Sequence, residues 1–501
     1  MKKHLCFFSF ALLLAQQVGG QKFDYQWPFG DGHSISTGFG VSLLDFNNGH
    51  VTVSPFAETD PEMSNAGSFI CDENGELMLL TNNCQVFDRN FQVISGGDSL
   101  TPGTTFNNFC TEFGDYPANQ SSLFLPAMDN DSVIYLLHKD SELSDVLQDV
   151  VSQHFYLSVI VRKQNGSFLL KEKILLLNTN MVVNRLTACL HQDGVRWWTW
   201  VAGYDTNKFY KFLIGGSAHV QGPFIQQIGI PLINQELDIG QAAFSPDATY
   251  LGINNEAHGA MVYRFNPETG ELSTPQIFSY PNMNTAEGLV FSPDSRFIYL
   301  TAGRDLYQMD LQETDPSAST IHLANVSLPD ETGWPIGVGY MYLGPDCRIY
   351  IGPGTTTFYI HTIHQPNEKG VNCNFEINAI KAPTRLEFNL PNLPMYRFNG
   401  QCDSGIGWGN VGAVEPEKPG QSVQIVPNPV SNQATILLPK DQSVSALLVL
   451  DMFGRMVKRI DVFDMQTEIV LFTDGLPPGI YFLNSLGAPN IAMVKFVKSS
   501  N

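Results

Sequence analysis

Short apolar runs alternate with polar turns through most of the chain. Asp72-Glu73-Asn74-Gly75 precedes Leu77–Leu80, Asp129-Asn130-Asp131-Ser132 precedes Val133–Leu137, and Gln192-Asp193-Gly194 precedes Trp197–Val201. Two later turns are near copies. Ala243-Phe244-Ser245-Pro246-Asp247 leads into Tyr250–Ile253, and Val290-Phe291-Ser292-Pro293-Asp294 leads into Phe297–Leu300, 47 positions on. Gly344-Pro345-Asp346 before Ile349–Ile351 is the sixth. Each reads as a strand, a tight turn and a second strand: Pro presets φ, and the Asp or Asn side chain bonds back to nearby amides. Between Glu73, Asp131, Asp193, Asp247, Asp294 and Asp346 the spacings are 58, 62, 54, 47 and 52. A hairpin repeated at this period predicts a radial array, a β-propeller with four strands per blade. The spacing favours seven blades and is compatible with six or eight. The seventh is expected to seal the ring by joining Gly38–Phe46 to the segment around Ala379–Phe388.

Within the strands, Arg196-Trp197-Trp198-Thr199-Trp200-Val201 alternates as a sheet face packed on a neighbour does. Asn266–Gly270 is a hairpin loop with Gly at its φ > 0 position. One stretch has helical spacing: Leu143, Val146, Leu147, Val150 and Val151 follow the potential cap Ser141. It is expected to be a short helical insertion between strands. Residues 411–422, with Glu415-Pro416-Glu417-Lys418-Pro419-Gly420, have linker composition. Seven further short strands follow, from Val423–Val426 to Ile491–Val497, a count suited to a small immunoglobulin-like sandwich. The chain is therefore read as all-β: leader 1–20, propeller 21–410, linker 411–422 and C-terminal sandwich 423–501.

The leader follows from Met1-Lys2-Lys3-His4, the apolar run Leu5–Ala15, and Val18-Gly19-Gly20 before Gln21. This run is shorter than the roughly 20 residues that span a bilayer, and no other stretch is apolar enough for a membrane helix. Only 15% of residues are charged, yet net charge is −21; without the leader it is (28 − 2) − 49 = −23. So acidic a surface repels phosphate backbones and argues against nucleic acid as a partner. An exported chain is expected to form disulfides. Of the cysteines beyond the leader, the expected pairs are Cys373–Cys402 near the ring closure and one among Cys71, Cys84 and Cys110. Cys189 is expected to be a buried apolar residue, and the lack of any CxxC pair disfavours structural zinc.

The last segment resembles the type A C-terminal sorting domain of the type IX secretion system. Its marks are Val426-Pro427-Asn428-Pro429, then Leu450-Asp451-Met452-Phe453-Gly454-Arg455, then Leu476-Pro477-Pro478-Gly479-Ile480-Tyr481, and the final Val494-Lys495-Phe496-Val497-Lys498. The motif residues are thus Pro427, Asn428, Pro429, Asp451, Gly454, Gly479, Tyr481 and Lys495. The resemblance implies the secretion machinery as a partner, passage through the outer membrane, and release or attachment at the surface of a Gram-negative cell. Trp27 to about Cys402 resembles secreted β-propeller proteins of bacteria with this system, carried by residues such as Gln120–Pro126, Phe244–Asp247 and Leu390–Phe398. That likeness implies fold and location, with no activity attached.

Candidate chemistry is sparse. His361 and His364 fall on a strand, where i and i+3 point to opposite faces, so they are not expected to hold a metal. Asp129 and Asp131 lack the glycine and terminal Glu of a calcium loop. Ser404 has no histidine nearby in sequence. Glu256 and Glu287 could meet at a central channel as an acid pair. Trp197, Trp198 and Trp200 are expected in the core rather than as a sugar platform. No catalytic, cofactor or metal residue is assigned, and the expected function is non-catalytic binding of a protein or glycan through channel-mouth loops. The alternative is a propeller hydrolase or lactonase with an acidic, metal-bearing or metal-free channel.

Overall fold

The computed structural model describes residues 22–31, 40–57, 63, 67–111, 116, 118–232, 240–327, 336–386, 390–408, 424–438, 446–451, 456–462, 466–486 and 494–499. The expected leader and linker lie outside these. The chain divides into two compact units, Met1–Gly412 and Ala413–Asn501.

Among the described residues, seven antiparallel sheets make up the first unit, and each is a blade. Blade 1 holds Gln26–Asp31, Gly40–Asp45 and Thr52–Ala57; blade 2 holds Ser68–Cys71, Leu77–Thr81 and Val86–Asp88. Blade 3 runs from Ser122–Pro126 through Val133–Lys139 and Asp149–Arg162 to Phe168–Met181. Blade 4 spans Ala188–Leu190 to Val220–Leu232, blade 5 Ala242–Phe244 to Gln276–Phe278, blade 6 Ala286–Phe291 to Ile321–Asn325, and blade 7 Met341–Leu343 to Phe375–Leu386.

The six turns found in sequence join the first and second strands of blades 2 to 7. Their side chains do what the pattern requires. Asp247 Oδ1 accepts from Ser245 Oγ (2.6 Å) and Thr249 N (3.0 Å), and Asp294 Oδ1 from Ser292 Oγ (2.5 Å) and Arg296 N (3.2 Å).

The core lies in the seams between neighbouring blades. Trp198, Trp200 and Phe209 of blade 4 pack on Phe244, Leu251 and Tyr263 of blade 5. Tyr299 and Leu306 pack on Ile349 and Ile351 across the seam from blade 6 to blade 7. Trp27 and Phe46 of blade 1 meet Tyr350 of blade 7, with Trp27 at a ring distance of 5.4 Å. Trp197, Trp198 and Trp200 are all buried, so these indoles belong to the core. Truncating such a buried aromatic costs about 3–5 kcal/mol.

Three expectations are corrected. Residues 142–151 form a hairpin, not a helix: Glu142–Ser144 pairs with the start of Asp149–Arg162, and Gln148 turns at φ 54°. The apolar positions spaced for a helix face are largely exposed (Leu143 66%, Val146 91%), so no apolar face was there to drive helix packing. The ring closure also differs. Gly40–Asp45 and Phe375–Leu386 belong to separate sheets, each pairing within its own blade. Finally, Cys402 bonds Cys347 and not Cys373, which is a free buried thiol. Cys84–Cys110 is the other disulfide, and Cys71 and Cys189 are free and buried.

The described residues of the second unit form a sandwich of seven strands. One sheet orders Gln424–Val426, Gln433–Leu437 and Glu468–Phe472; the other orders Met456–Asp461, Ala446–Asp451, Gly479–Leu486 and Val494–Lys498. Ile436, Leu447, Val449, Leu471, Tyr481 and Phe496 fill the space between them.

Candidate functional site

The centre of the ring is occupied by the chain itself. Residues 390–397 enter where the first strands of the blades begin (the mouth) and leave at the turn end. Asn392 N donates to Gly67 O (2.8 Å), and Met395 N to Ala188 O (2.9 Å). Asn392 then uses its whole side-chain amide. Nδ2 donates to Ser122 O (2.9 Å) and Leu186 O (2.8 Å), while Oδ1 accepts from Gln120 Nε2 (3.1 Å) and Tyr342 OH (3.4 Å).

Two glutamines extend the same layer. Gln120 exchanges hydrogen bonds with both backbone groups of Ala242 (Nε2 to O 3.1 Å, N to Oε1 2.9 Å). Gln241 does so with Met341 (2.8 and 3.0 Å) and accepts from Leu289 N (2.9 Å). Three buried side-chain amides therefore tie blades 3 to 7 across the axis, and the backbone of Asn392 adds blade 2. Such groups are stable inside only when paired, as these are. The void left against Leu393–Arg397 is about 30 Å³, room for about one water.

Beyond the stopper, the chain runs as a belt along the turn end. Arg397 pairs with buried Asp24. Asn399 N donates to Pro246 O (2.8 Å), Asp403 N to Pro345 O (2.7 Å) and Gly407 N to Gly49 O (2.8 Å). The belt thus crosses the turns of blades 5, 7 and 1, and at blade 6 a Cβ on Gly400 (φ +67°) would stand 2.3 Å from Pro293 O. Cys402–Cys347 fixes it to blade 7. Ser404, on this belt, is exposed, with Asp403 beside it and no histidine nearby in sequence.

At the mouth, the acids raised as candidates lie near enough for the charge of Glu256 to act on Glu287. Glu256 follows Tyr250–Asn255 of blade 5, and Glu287 is the second residue of blade 6. Asn254 N donates to Gln241 O (2.9 Å) and Gln241 N to Glu287 O (2.7 Å), which sets both acids at one rim. Burial, and then the charge of Glu256, push the Glu287 carboxyl up to about 8. Glu287 therefore keeps its proton at neutral pH. Gly354, at φ +61°, leaves space for it: a Cβ there would lie 3.2 Å from Glu287 Oε2.

A basic group faces the same end from blade 3. Lys139 Nζ donates to Val182 O (3.0 Å) and to Asn184 O, and burial together with Arg185 brings its ammonium down to about 7. Next to it, Asp140 Oδ2 accepts from His154 Nδ1 (2.6 Å), and Asp140 Oδ1 accepts from the amides of Gln153 and His154. The carboxyl pair of blades 5 and 6 and the buried ammonium of blade 3 are thus separate features of this end of the ring, each shifted by its own surroundings.

The other candidates are occupied individually. Buried His361 donates from Nε2 to Gly337 O (2.9 Å) and accepts Asn378 N at Nδ1, while His364 bonds Glu376 (2.7 Å). Asp129 and Asp131 are exposed turn residues. Among the described residues, no group of three or more His, Cys, Asp or Glu side chains is arranged to hold a metal ion. Sequence reasoning missed Gln120, Gln241 and Asn392. The available signal was position, since both glutamines stand just ahead of an innermost strand.

In the sandwich, Asn428 Oδ1 accepts from Val497 N (2.9 Å), so the opening motif clasps the final strand. Tyr481 OH donates to Pro477 O (2.7 Å), and its ring stacks on Phe496. Pro427 and Pro429 are exposed beside Asn428, and exposed Gly479 opens the strand that carries Tyr481. Lys495 lies in the last strand and Asp451 ends another; their side chains, and Gly454 entirely, lie outside the described residues.

Residues 424–499 match the family model described as a secretion system C-terminal sorting domain. No curated protein matches the chain. Among solved structures, a putative 6-phosphogluconolactonase from Bacteroides fragilis is 11% identical, covering 74% of this chain and 99% of its own, with a TM-score of 0.36. The periplasmic gluconolactonase of Pseudomonas aeruginosa is 13% identical, covering 89% and 99%, with a TM-score of 0.35. The β-propeller domain of Cps50 (Swd1) from Myceliophteria thermophila is 8% identical over 73% and 100%, with a TM-score of 0.29. At these values the likenesses transfer no activity. The chain is a β-propeller carrying, at residues 424–499, a type IX secretion C-terminal sorting domain, and its place is outside the cell, secreted or at the cell surface of a Gram-negative bacterium.

Proposed function

We propose that the propeller is a non-catalytic binding module, whose mouth loops engage a protein or glycan at the cell surface. The observation that carries this reading is the stopper. Asn392, Gln120 and Gln241, paired across the axis, fill the channel at that layer with the chain itself, which favours recognition at the rim. The test is glycan-array and whole-cell binding by the purified mature protein. Saturable binding that rim substitutions such as Glu256→Lys weaken supports the reading; absence of binding to every surface component tested, with turnover of a small substrate, overturns it.

The Glu256–Glu287 pair favours one second reading, a hydrolase or lactonase acting at the mouth. Here Glu287 donates a proton to the leaving group while Glu256 activates water. Hydrolysis of lactone or glycoside panels that Glu287→Gln abolishes would select this reading over the first.

A further inference from the structure

At the turn end, between blades 2 and 3, lies a cavity of about 180 Å³. Its floor is apolar: Ile70, Met78, Pro126 and Ile134, with Phe23 and Val133 at the sides. Its rim is charged, with Asp72 and Glu73 from the turn of blade 2, Asp131 from the turn of blade 3, and Arg162 from the end of the third strand of blade 3.

The rim charges differ in how they are used. Asp72 Oδ1 is taken up by its own turn, accepting from Asn74 N (2.9 Å) and Glu76 N (3.1 Å). Glu73 and Asp131 are exposed and make no hydrogen bond or ion pair with another described residue. With three carboxylates against one guanidinium, the rim carries an excess of two negative charges. Full pockets for drug-sized ligands run from about 300 Å³ upward, so this volume suits one side chain and not a cofactor.

We propose that this pocket is a docking site for a partner protein, taking from it a cationic side chain on an apolar stem. The stem lies on Ile70, Met78 and Ile134, and the ammonium or guanidinium group sits between Glu73 and Asp131. Rim charges contribute mainly to choice of partner, whereas the floor supplies contact area. The site is remote from the mouth and independent of either reading of it.

The probe is 2-phenylethylammonium, compared with 3-phenylpropionate, titrated into the full mature chain at low salt and followed by NMR. The expected result is saturable binding of the amine at least fivefold tighter than the acid, declining as salt rises. Glu73→Lys with Asp131→Lys, both exposed positions, should reverse the preference, and Met78→Trp should remove both probes by filling the floor. Equal affinity for the two probes, no saturable binding of the amine, or an unchanged preference in the double variant overturns the proposal. The comparison of probes on the unaltered protein needs no variant to fold.

Discussion

Replacing Asn392 with leucine, which keeps the number and branching of the side-chain heavy atoms, tests the contribution of the amide stopper. The substitution takes both donors away from Ser122 O and Leu186 O and leaves the Tyr342 hydroxyl without its acceptor. Gln120 keeps its bonds to Ala242, so it is not stranded. Each buried polar group left unpaired costs about 1–3 kcal/mol. Three such groups, partly offset by the added apolar surface, give a loss of about 3–6 kcal/mol. For a unit the size of Met1–Gly412 the unfolding entropy is roughly 0.8 kcal/mol/K. The expected fall in Tm is therefore about 4–7 °C by calorimetry, with an exposed-loop control such as Gln164→Leu unchanged. A shift below about 1 °C would show that the amide is not holding the blades together.

Removing the belt disulfide with Cys347→Ser and Cys402→Ser opens a loop of sequence separation 55, which the chain-entropy relation sets at about 4 kcal/mol; urea midpoints should fall accordingly, and digestion should begin within the belt. Glu287 holds its proton in the folded state to about pH 8 but loses it near 4.5 when unfolded. The folded state thus binds the extra proton, and stability declines as pH rises through that window, by up to about 1.4 kcal/mol per pH unit; urea titrations of Glu287→Gln should lack this slope. His138 and His361 act in the opposite sense, because burial holds them at about 3 and about 4 against 6.5 unfolded. Their stability contribution is lost as pH falls below 6.5, an acid limb that urea midpoints will reveal. Deleting the chain from Gln424 onward should retain the propeller inside the outer membrane, whereas normal amounts in the medium would refute the role of the sorting domain.

The blade rhythm was legible because it is local chemistry. Ser245, Pro246 and Asp247 close their turn through contacts within five residues, as do Ser292, Pro293 and Asp294. The sandwich was legible for a similar reason, its motifs being short and ordered along the chain. Ring closure was not, because it depends on pairings such as Asn392 with Ser122, 270 positions apart. Cys402 likewise could not be matched to Cys347 before the belt was seen to cross the turn of blade 7. The helical spacing around Val146 failed because periodicity alone, without a partner surface, does not decide between helix and hairpin. Glu256 and Glu287 were visible as candidates, but their nearness rests on the seam between blades 5 and 6, which their distance along the chain does not reveal.

The central claim is that residues 390–397 are an integral part of the ring. Native-state hydrogen exchange tests it directly at the amides of Asn392 and Met395, which donate to Gly67 O and Ala188 O. The expected result is exchange only through global unfolding, at rates matching the central strands of blades 3 and 6. Fast exchange at these two amides while the blade strands stay protected would contradict it.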